Sequence, residues 1–511
     1  MTAPSATSQT KPAATTSAPA MTPLEKRATR SIESLRNSPL ELRSLLLKMP
    51  KGSDLHNHLY GAIYAETWIR NAAEDNMCID PAAIQGTTSV FSPSEGKPPA
   101  CTAGKFPATD VYKNPHLYDS LVDAFSMRGF VASPGYTGHD HFFNTFARFG
   151  AVSPKHLGEW LDEVATRADR QNVQYIELMH TPDFARTAKA GYQIGWQGDL
   201  PRFRDALLSK GISADVAAAR QQLDDAETDR AKREHCGQPE ASSACRLEMR
   251  YLCQVLRGFP LQQVFAQTIL CFETVMADPR FVGINLVMPE DGYYSMTDYA
   301  DQMRMVGFLH KIYPNVHITL HAGEIAPPLV TYEGLCCHIR LAVEAGAERI
   351  GHGVDIMYEQ HPHEVLHEMA AQHVMVEINI TSNDTILGVS GKDHPLPVYR
   401  KFGVPVSFST DDEGVSRIDM THEYVRAVET YDLKYLDLKQ MVRTGMEHIF
   451  LRGASLWRAP DQFTAPVAVC AHDNLGSDKP SRPCAAFLKS SERAQQQWQL
   501  ERRFNEFEAA L

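Results

Sequence analysis

The chain has 511 residues, 43% of them hydrophobic and 22% charged, with a formal net charge of −12. That length and composition suffice to bury a large core, and one α/β barrel with insertions falls within range. The acidic balance argues against a general nucleic-acid or anionic-membrane binder, and no apolar run approaches the roughly 20 residues of a membrane span.

Residues 1–22 are almost all Ala, Ser, Thr, Pro and Gln, a mixture that buries no core and predicts a disordered tail. The tail has no apolar h-region, so it is not an intact signal peptide. It fits the stretch behind a removed one, with a start Met added. A secreted or periplasmic protein is therefore expected, with the cytoplasm as the alternative. From Pro23 to Met49 the pattern turns amphipathic, with Leu35, Leu40, Leu42, Leu45 and Leu46, which predicts helices outside the main core. The ten cysteines show no zinc-finger spacing. Cys78/Cys101, Cys236/Cys245 and Cys470/Cys484 flank polar, loop-like stretches. They read either as local disulfides of an oxidising compartment or as free thiols. Cys253 and Cys271 lie in apolar surroundings and are expected to be inert core residues.

Short apolar, β-rich runs recur at about 53–58, 173–179, 248–254, 281–287, 316–321, 348–351, 374–380 and 404–410. Helical patterns such as Leu335–Glu344 and His363–Ala371 separate the later ones. This alternation predicts an α/β fold, a parallel (β/α)8 TIM barrel of the metallo-dependent hydrolase type over residues 50–460. An open doubly wound sheet is the competing architecture. No Gly-rich phosphate loop follows any strand, so nothing supports a dinucleotide site. Insertions are expected at about 80–150, loop-rich and then helical, and at 221–245, which opens on the charged run Gln221–Glu234. Residues 461–511 form a C-terminal extension, with a helix over 485–511.

The chemistry-bearing residues fall at the ends of these strands. Asp54-Leu55-His56-Asn57-His58 closes the first, and alternation puts His56 and His58 on one face. Ile318-Thr319-Leu320-His321 closes the fifth and leads through Ala322 and Gly323 to Glu324. His352 ends the sixth between two glycines, and Ser409-Thr410-Asp411-Asp412 ends the eighth. Barrel enzymes place their chemistry at these C-terminal strand ends. His56, His58, His321 and Asp411 offer three nitrogens and a carboxylate oxygen, a set suited to one Zn²⁺ with a position left for water. Such an ion lowers the pKa of water to near 7. Glu324 is placed to relay protons, and His352 to stabilise an attacking hydroxide.

Pro50-Lys51-Gly52 before His-x-His, then His-Ala-Gly-Glu, Gly-His-Gly, Thr381-Ser382-Asn383 and Thr-Asp-Asp resemble the adenosine deaminase family of the amidohydrolase superfamily. The resemblance spans residues 50–455. Trp68, the Cys78/Cys101 pair and the long insertions are more similar to the secreted growth-factor-related deaminases than to the compact cytosolic enzymes. The resemblance implies deamination of adenosine, or a close relative, to inosine and ammonia. It implies that His56, His58, His321 and Asp411 bind zinc and that Glu324 protonates purine N1. His352 would position the hydroxide, and Asp412 would accept a hydrogen bond from the N7 side of the purine. The partner is a small-molecule purine nucleoside, with a homodimer left open. The His-x-Glu and Pro-Cys-x-x-Cys pattern of the cytidine and nucleic-acid editing deaminases is absent.

The sequence departs from the family at three places. Tyr60 stands where the compact enzymes carry an Asp that holds the ribose 5′ end. Leu286-Val287-Met288-Pro289-Glu290 lacks the Gly whose N–H meets purine N3, and Glu413 replaces a Pro. Tyr60 follows a ligand by two residues, so strand alternation aims it at the barrel mouth and predicts tolerance of substrates without the 5′-hydroxyl. Alternatively it packs under the first insertion. Two other functions compete: another amidohydrolase reaction, such as cleavage of a cyclic amide or a modified purine, and a receptor-binding growth-factor-like protein. No Lys at the fourth strand end supports a carbamate-bridged two-metal site. The intact ligand set speaks against a dead scaffold.

Overall fold

The computed structural model describes residues 21–95 and 100–511, so the expected tail lies outside it except for Met21 and Thr22. Eight parallel strands form one sheet in sequence order: β1 (Gly52–His58), β2 (Val173–His180), β3 (Glu248–Leu256), β4 (Phe281–Val287), β5 (His317–Ala322), β6 (Arg349–His352), β7 (Met375–Ile378) and β8 (Val406–Phe408). All eight expected runs are strands, and the open doubly wound sheet is excluded. The last strand is shorter than expected. Beyond it the chain closes the barrel as Asn57 pairs with Asp411 in parallel fashion. The His58 N–H donates to the Asp411 carbonyl at 3.1 Å and the Asp411 N–H to the His56 carbonyl at 2.8 Å.

Strand alternation sorts the side chains. On β5, Ile318 and Leu320 join the hydrophobic core, whereas Thr319 and His321 share the polar interior. That interior holds a buried ionic cluster. Arg349 on β6 donates to Glu177 on β2 at 2.6 Å and to Glu377 on β7 at 2.7 Å, and Thr319 donates to Glu377 at 3.0 Å. Buried charges of this kind persist only when paired and hydrogen-bonded.

The N-terminal helices Pro23–Leu35 and Pro39–Lys48 do not stand outside the core as expected. Ala28, Ile32, Leu42 and Leu46 are buried members of the main cluster. A capping box starts the first helix. The Thr22 hydroxyl accepts from the Glu25 N–H at 3.1 Å, and the Glu25 carboxylate accepts from the Thr22 N–H at 2.9 Å. The expected C-terminal helix is two helices, Arg482–Ser490 and Glu492–Ala510, broken at Ser491. The Ser491 hydroxyl caps the second by accepting from the Ala494 N–H at 3.1 Å. Leu500, Phe504 and Phe507 then return to the main core.

The first insertion carries a small sheet, in which Cys78–Ile79 pairs with Phe91–Ser92 and Phe106–Pro107, and the helices Pro115–Ala124 and Gly138–Phe149. The charged run Gln221–Glu234 falls almost wholly within the helix Ser213–Arg233. All ten cysteines are paired. Besides the three anticipated disulfides, Cys253 bonds Cys271 and Cys336 bonds Cys337. Cys253 and Cys271 are thus not free core thiols. Cys253 on β3 and Cys271 on the helix Leu261–Ala277 tie a strand to the helix packed on it.

Candidate active site

Three imidazoles and one carboxylate meet at the C-terminal mouth of the barrel. His56 Nε2 lies 3.1 Å from His321 Nε2, and His58 Nε2 lies 3.2 Å from the same atom. Asp411 Oδ1 is 3.4 Å from His56 Nε2 and 3.2 Å from His58 Nε2. Asp411 reaches this point through a left-handed backbone (φ 59°), which takes it out of strand alternation just past the closing pair.

The far nitrogen of each ring is tied down, and the ties name the tautomers. His56 Nδ1 bonds Glu377 Oε2 at 2.7 Å, a carboxylate that can only accept. His321 Nδ1 bonds Asn285 Oδ1 at 2.8 Å, and the same oxygen accepts the His321 backbone N–H at 3.1 Å. His58 Nδ1 bonds Gln254 Oε1 at 2.9 Å, with the Gln254 amide turned by its donation to Thr181 at 3.0 Å. Every Nδ1 therefore carries the proton, and three Nε2 lone pairs face one another and a carboxylate oxygen. Ligands about 2.0–2.1 Å from a tetrahedral zinc stand roughly 3.3 Å apart. The observed spacings match that figure, and the converging lone pairs repel unless a cation sits among them, so the residues fit the metal. Without one, the cluster draws a proton. Burial pulls the His56 imidazole down, but the hydrogen bonds to Asp411 and Glu377 outweigh it and carry it up to about 10.

Gln254, Asn285 and Glu377 were not foreseen. Asn285 and Glu377 are polar residues inside apolar, buried strand runs, which is the one signal the sequence carries for them, and Gln254 sits in a strand that already holds Glu248 and Arg250. Such partners orient metal ligands and raise their basicity.

Glu324 is buried beside the cluster, with Oε1 3.5 Å from His352 Nε2. Burial first, then the Asp411 and Glu290 charges, push its carboxyl well above the usual range. The turn that carries it is pinned by Glu290, whose two oxygens accept the Gly323 N–H at 3.0 Å and the Glu324 N–H at 2.8 Å. Burial would raise Glu290, but Arg257 and His338 hold it down at about 2.

His352 has a fixed tautomer too. The Leu396 N–H donates to His394 Nδ1 at 3.1 Å, so His394 carries its proton on Nε2 and donates it to Asn383 Oδ1 at 3.1 Å. The Asn383 amide then donates to His352 Nδ1 at 3.0 Å. Asn379 Nδ2 also lies 3.4 Å from His352 Nε2, but the shorter Asn383 contact at Nδ1 puts the His352 proton on Nε2, on the side of Glu324. Asn383 belongs to the Thr-Ser-Asn pattern, whereas His394 had no signal in the sequence. His352 also lies close to the metal-type donors: His56, His321, His352 and Asp411 each offer an atom within 4.8 Å of the others, and His58, Asp411 and Asp412 form an overlapping group.

Asp412 lines the cavity with one carboxylate oxygen buried and unpartnered. Burial and the Asp411 charge raise it well above the ordinary carboxylate range. Gly61 makes room for it, since a Cβ there would lie 1.5 Å from Asp412 Oδ1. Tyr60 sits on a helical turn, Leu59–Ala62, so strand alternation does not set its direction. It lines the cavity even so, while its ring packs on Trp68 at 6.0 Å and Trp160 at 5.3 Å.

The other two departures have local explanations. Met288 takes φ 96°, in the left-handed region that favours glycine. Glu413 is buried and takes the Asn57 amide at 3.2 Å and Arg167 Nε at 3.0 Å. The cavity above these groups measures about 810 Å³.

A model of the family described as "Adenosine deaminase" matches residues 139–455, well over half of the chain. Adenosine deaminase of Salmonella typhimurium is 38% identical over 136 residues, 26% of this chain and 38% of that protein. The same name in Escherichia coli O1:K1 is 36% identical over 138 residues. The chain thus aligns with little more than a third of these relatives' length. An adenine deaminase from Arthrobacter aurescens superposes with a TM-score of 0.50 at 16% identity, covering 79% of this chain and 94% of that one. An amidohydrolase from Burkholderia ambifaria, solved with bound Zn, gives 0.51 at 16% identity over 80% and 88%. At that identity the two share the fold. The match over residues 139–455 places the chain in the adenosine deaminase family.

Proposed function

We propose that the chain is a zinc-dependent aminohydrolase that converts adenosine, or a closely related adenine nucleoside, to inosine and ammonia. The carrying observation is the set of four donor atoms 3.1–3.4 Å apart with every imidazole Nδ1 already tied. His56, His58, His321 and Asp411 hold the ion. Bound there, it supplies the electrophile that lowers the pKa of a water toward 7.

The remaining steps belong to side chains. Glu324, protonated by its surroundings, gives its proton to purine N1 and so makes C6 electrophilic. His352 donates its Nε2–H toward the oxygen that attacks C6. Asp412, its carboxyl raised by burial and the Asp411 charge, donates a hydrogen bond to purine N7, an interaction that strengthens as charge builds on the ring in the transition state. Tyr60 borders the ribose. The C6–N6 bond then breaks, ammonia leaves with the transferred protons, and a carbonyl remains at C6. The ten paired cysteines and the insertions support a secreted or periplasmic member of the growth-factor-related branch. Metal analysis combined with inosine formation tests the proposal. About one zinc per chain with adenosine turnover is expected, with both lost in His58→Ala. Full activity in a metal-free protein would exclude it.

A further inference from the structure

The helix Gly138–Phe149 crosses the barrel mouth. At its start His139 Nε2 bonds Asp291 after β4 at 3.0 Å, and a Cβ at Gly138 would lie 2.0 Å from the Thr385 carbonyl after β7. At its end Phe149 stacks on Trp68, beyond the turn that follows β1, with centroids 4.6 Å apart. The helix thus touches the chain that follows β1, β4 and β7. Phe142, Phe143, Phe146 and Phe149 recur at helical spacing and all line the cavity below it. Phe184 and Phe259 face the same space from other loops.

The floor and the roof of this cavity differ in chemistry. At the floor, His58, His321, Glu324, Asp411 and Asp412 mark where the purine must react. The roof is aromatic and, among the described residues, offers no cation. Among the described residues no Lys or Arg lines the cavity, whereas Asp183, Glu324, Asp411 and Asp412 do. A purine held with C6 at the floor turns its ribose toward the roof. A phosphate on the 5′ carbon would then enter an apolar space ringed by carboxylates, with no guanidinium or ammonium to pair it. The volume, about 810 Å³, stands in the upper part of the ~300–1,000 Å³ span of small-molecule pockets. It holds more than a bare nucleoside.

We infer that the substrate class is an adenine nucleoside with a neutral, apolar 5′ substituent seated against Phe143 and Phe146, and that 5′-phosphorylated nucleotides are excluded. The inference rests on the deaminase reading above. It goes further in assigning the specificity to the aromatic roof and to the absence, among the described residues, of a phosphate-binding cation.

Steady-state kinetics on the zinc-loaded full chain decides it, with adenosine, adenosine 5′-monophosphate and 5′-deoxy-5′-(benzylthio)adenosine as substrates. The thioether is expected to match or exceed adenosine in kcat/KM, and the monophosphate to fall about 100-fold below adenosine, the scale of uncompensated like-charge contact. Phe146→Ala should lower the thioether-to-adenosine ratio about tenfold, the scale of a lost apolar contact. A monophosphate within tenfold of adenosine, or a thioether below adenosine, overturns the inference. If none of the three were deaminated, the deaminase reading would fall by itself. The roof would then be judged by thermal shift: a larger rise in Tm with the thioether than with adenosine supports it, and an equal rise with the monophosphate overturns it.

Discussion

Glu324 and His352 face each other at 3.5 Å as two donors of different kinds, one a raised carboxyl and the other a neutral imidazole. Replacing Glu324 by Gln keeps the shape and the backbone anchors to Glu290 but removes the transferable proton. The kcat is expected to drop by ~10²–10⁴, the range for an acid–base residue, with zinc content unchanged by elemental analysis. Asn383→Asp probes the other partner. A carboxylate cannot donate to His352 Nδ1, so the ring must turn its proton inward and present a bare Nε2 to the site. A loss of kcat with little change in KM is expected, together with an altered His352 tautomer in ¹⁵N NMR. An unchanged tautomer would show that Asn383 does not set it. The four clustered side chains were legible, because a strand-end His or Asp is a visible anomaly. Asn285, Gln254 and His394 were not, because one amide or imidazole in a strand or loop looks the same whether it orients a ligand or meets water. Truncating Asn285 to Ala should weaken zinc binding by 10–100-fold in a chelator competition, the usual effect of losing such a partner.

At the scale of elements, the barrel was readable and its irregularities were not. Eight β-rich runs at the right spacing specify the strands, since each must bury one face on helices. The turn at Leu59–Ala62 defeats the alternation argument because a single helical turn replaces the strand directly after the second ligand. Likewise Asp411 points with the ligands only because its backbone is left-handed, a conformation that Asp adopts more readily than most residues but that its presence does not by itself announce. The contact between this turn and the Asp pair makes its own prediction. In Gly61→Ala the new methyl would fall 1.5 Å from Asp412 Oδ1. The carboxylate must rotate away, so kcat/KM should fall while zinc stays bound. Normal kinetics in that variant would mean Asp412 does not read the purine.

For the whole molecule, pH acts through buried carboxyls far from the metal. Glu423, on the helix Met420–Tyr431, is fully buried and accepts from the Thr381 N–H at 3.2 Å and from its hydroxyl. Burial raises it to about 7. The folded chain therefore holds a proton that the unfolded chain releases near 4.3. Stability from this group is full below the unfolded value and is lost as pH rises toward 7, by up to ~3 kcal/mol. Denaturant titrations at pH 5 and 8 should show that loss in the parent and a flatter profile in Glu423→Gln. The compartment is a separate matter. Thiol titration of denatured protein from its native host should find no free cysteine if the chain is exported, and ten would place it in a reducing compartment. Neither Cys253–Cys271 nor Cys336–Cys337 was legible: the first joins two apolar runs that give no hint of proximity, and the second joins sequence neighbours.

The seam between β1 and β8 has a consequence for how the chain folds and comes apart. It joins residues as distant as Asp54 and Thr410, 356 positions apart, and two of its hydrogen bonds run through His56, His58 and Asp411. Contacts of such separation form late, after much loop entropy has been lost. In the proposed function, a zinc ion held by side chains from both edges would act as a clasp on the ring of strands. At an ion concentration 100 times its dissociation constant it adds about 2.7 kcal/mol, which the unclasped ring lacks. Chelation should therefore open the barrel along one line. Hydrogen exchange should quicken at the amides of His58 and Asp411 while those between β2 and β3 stay protected.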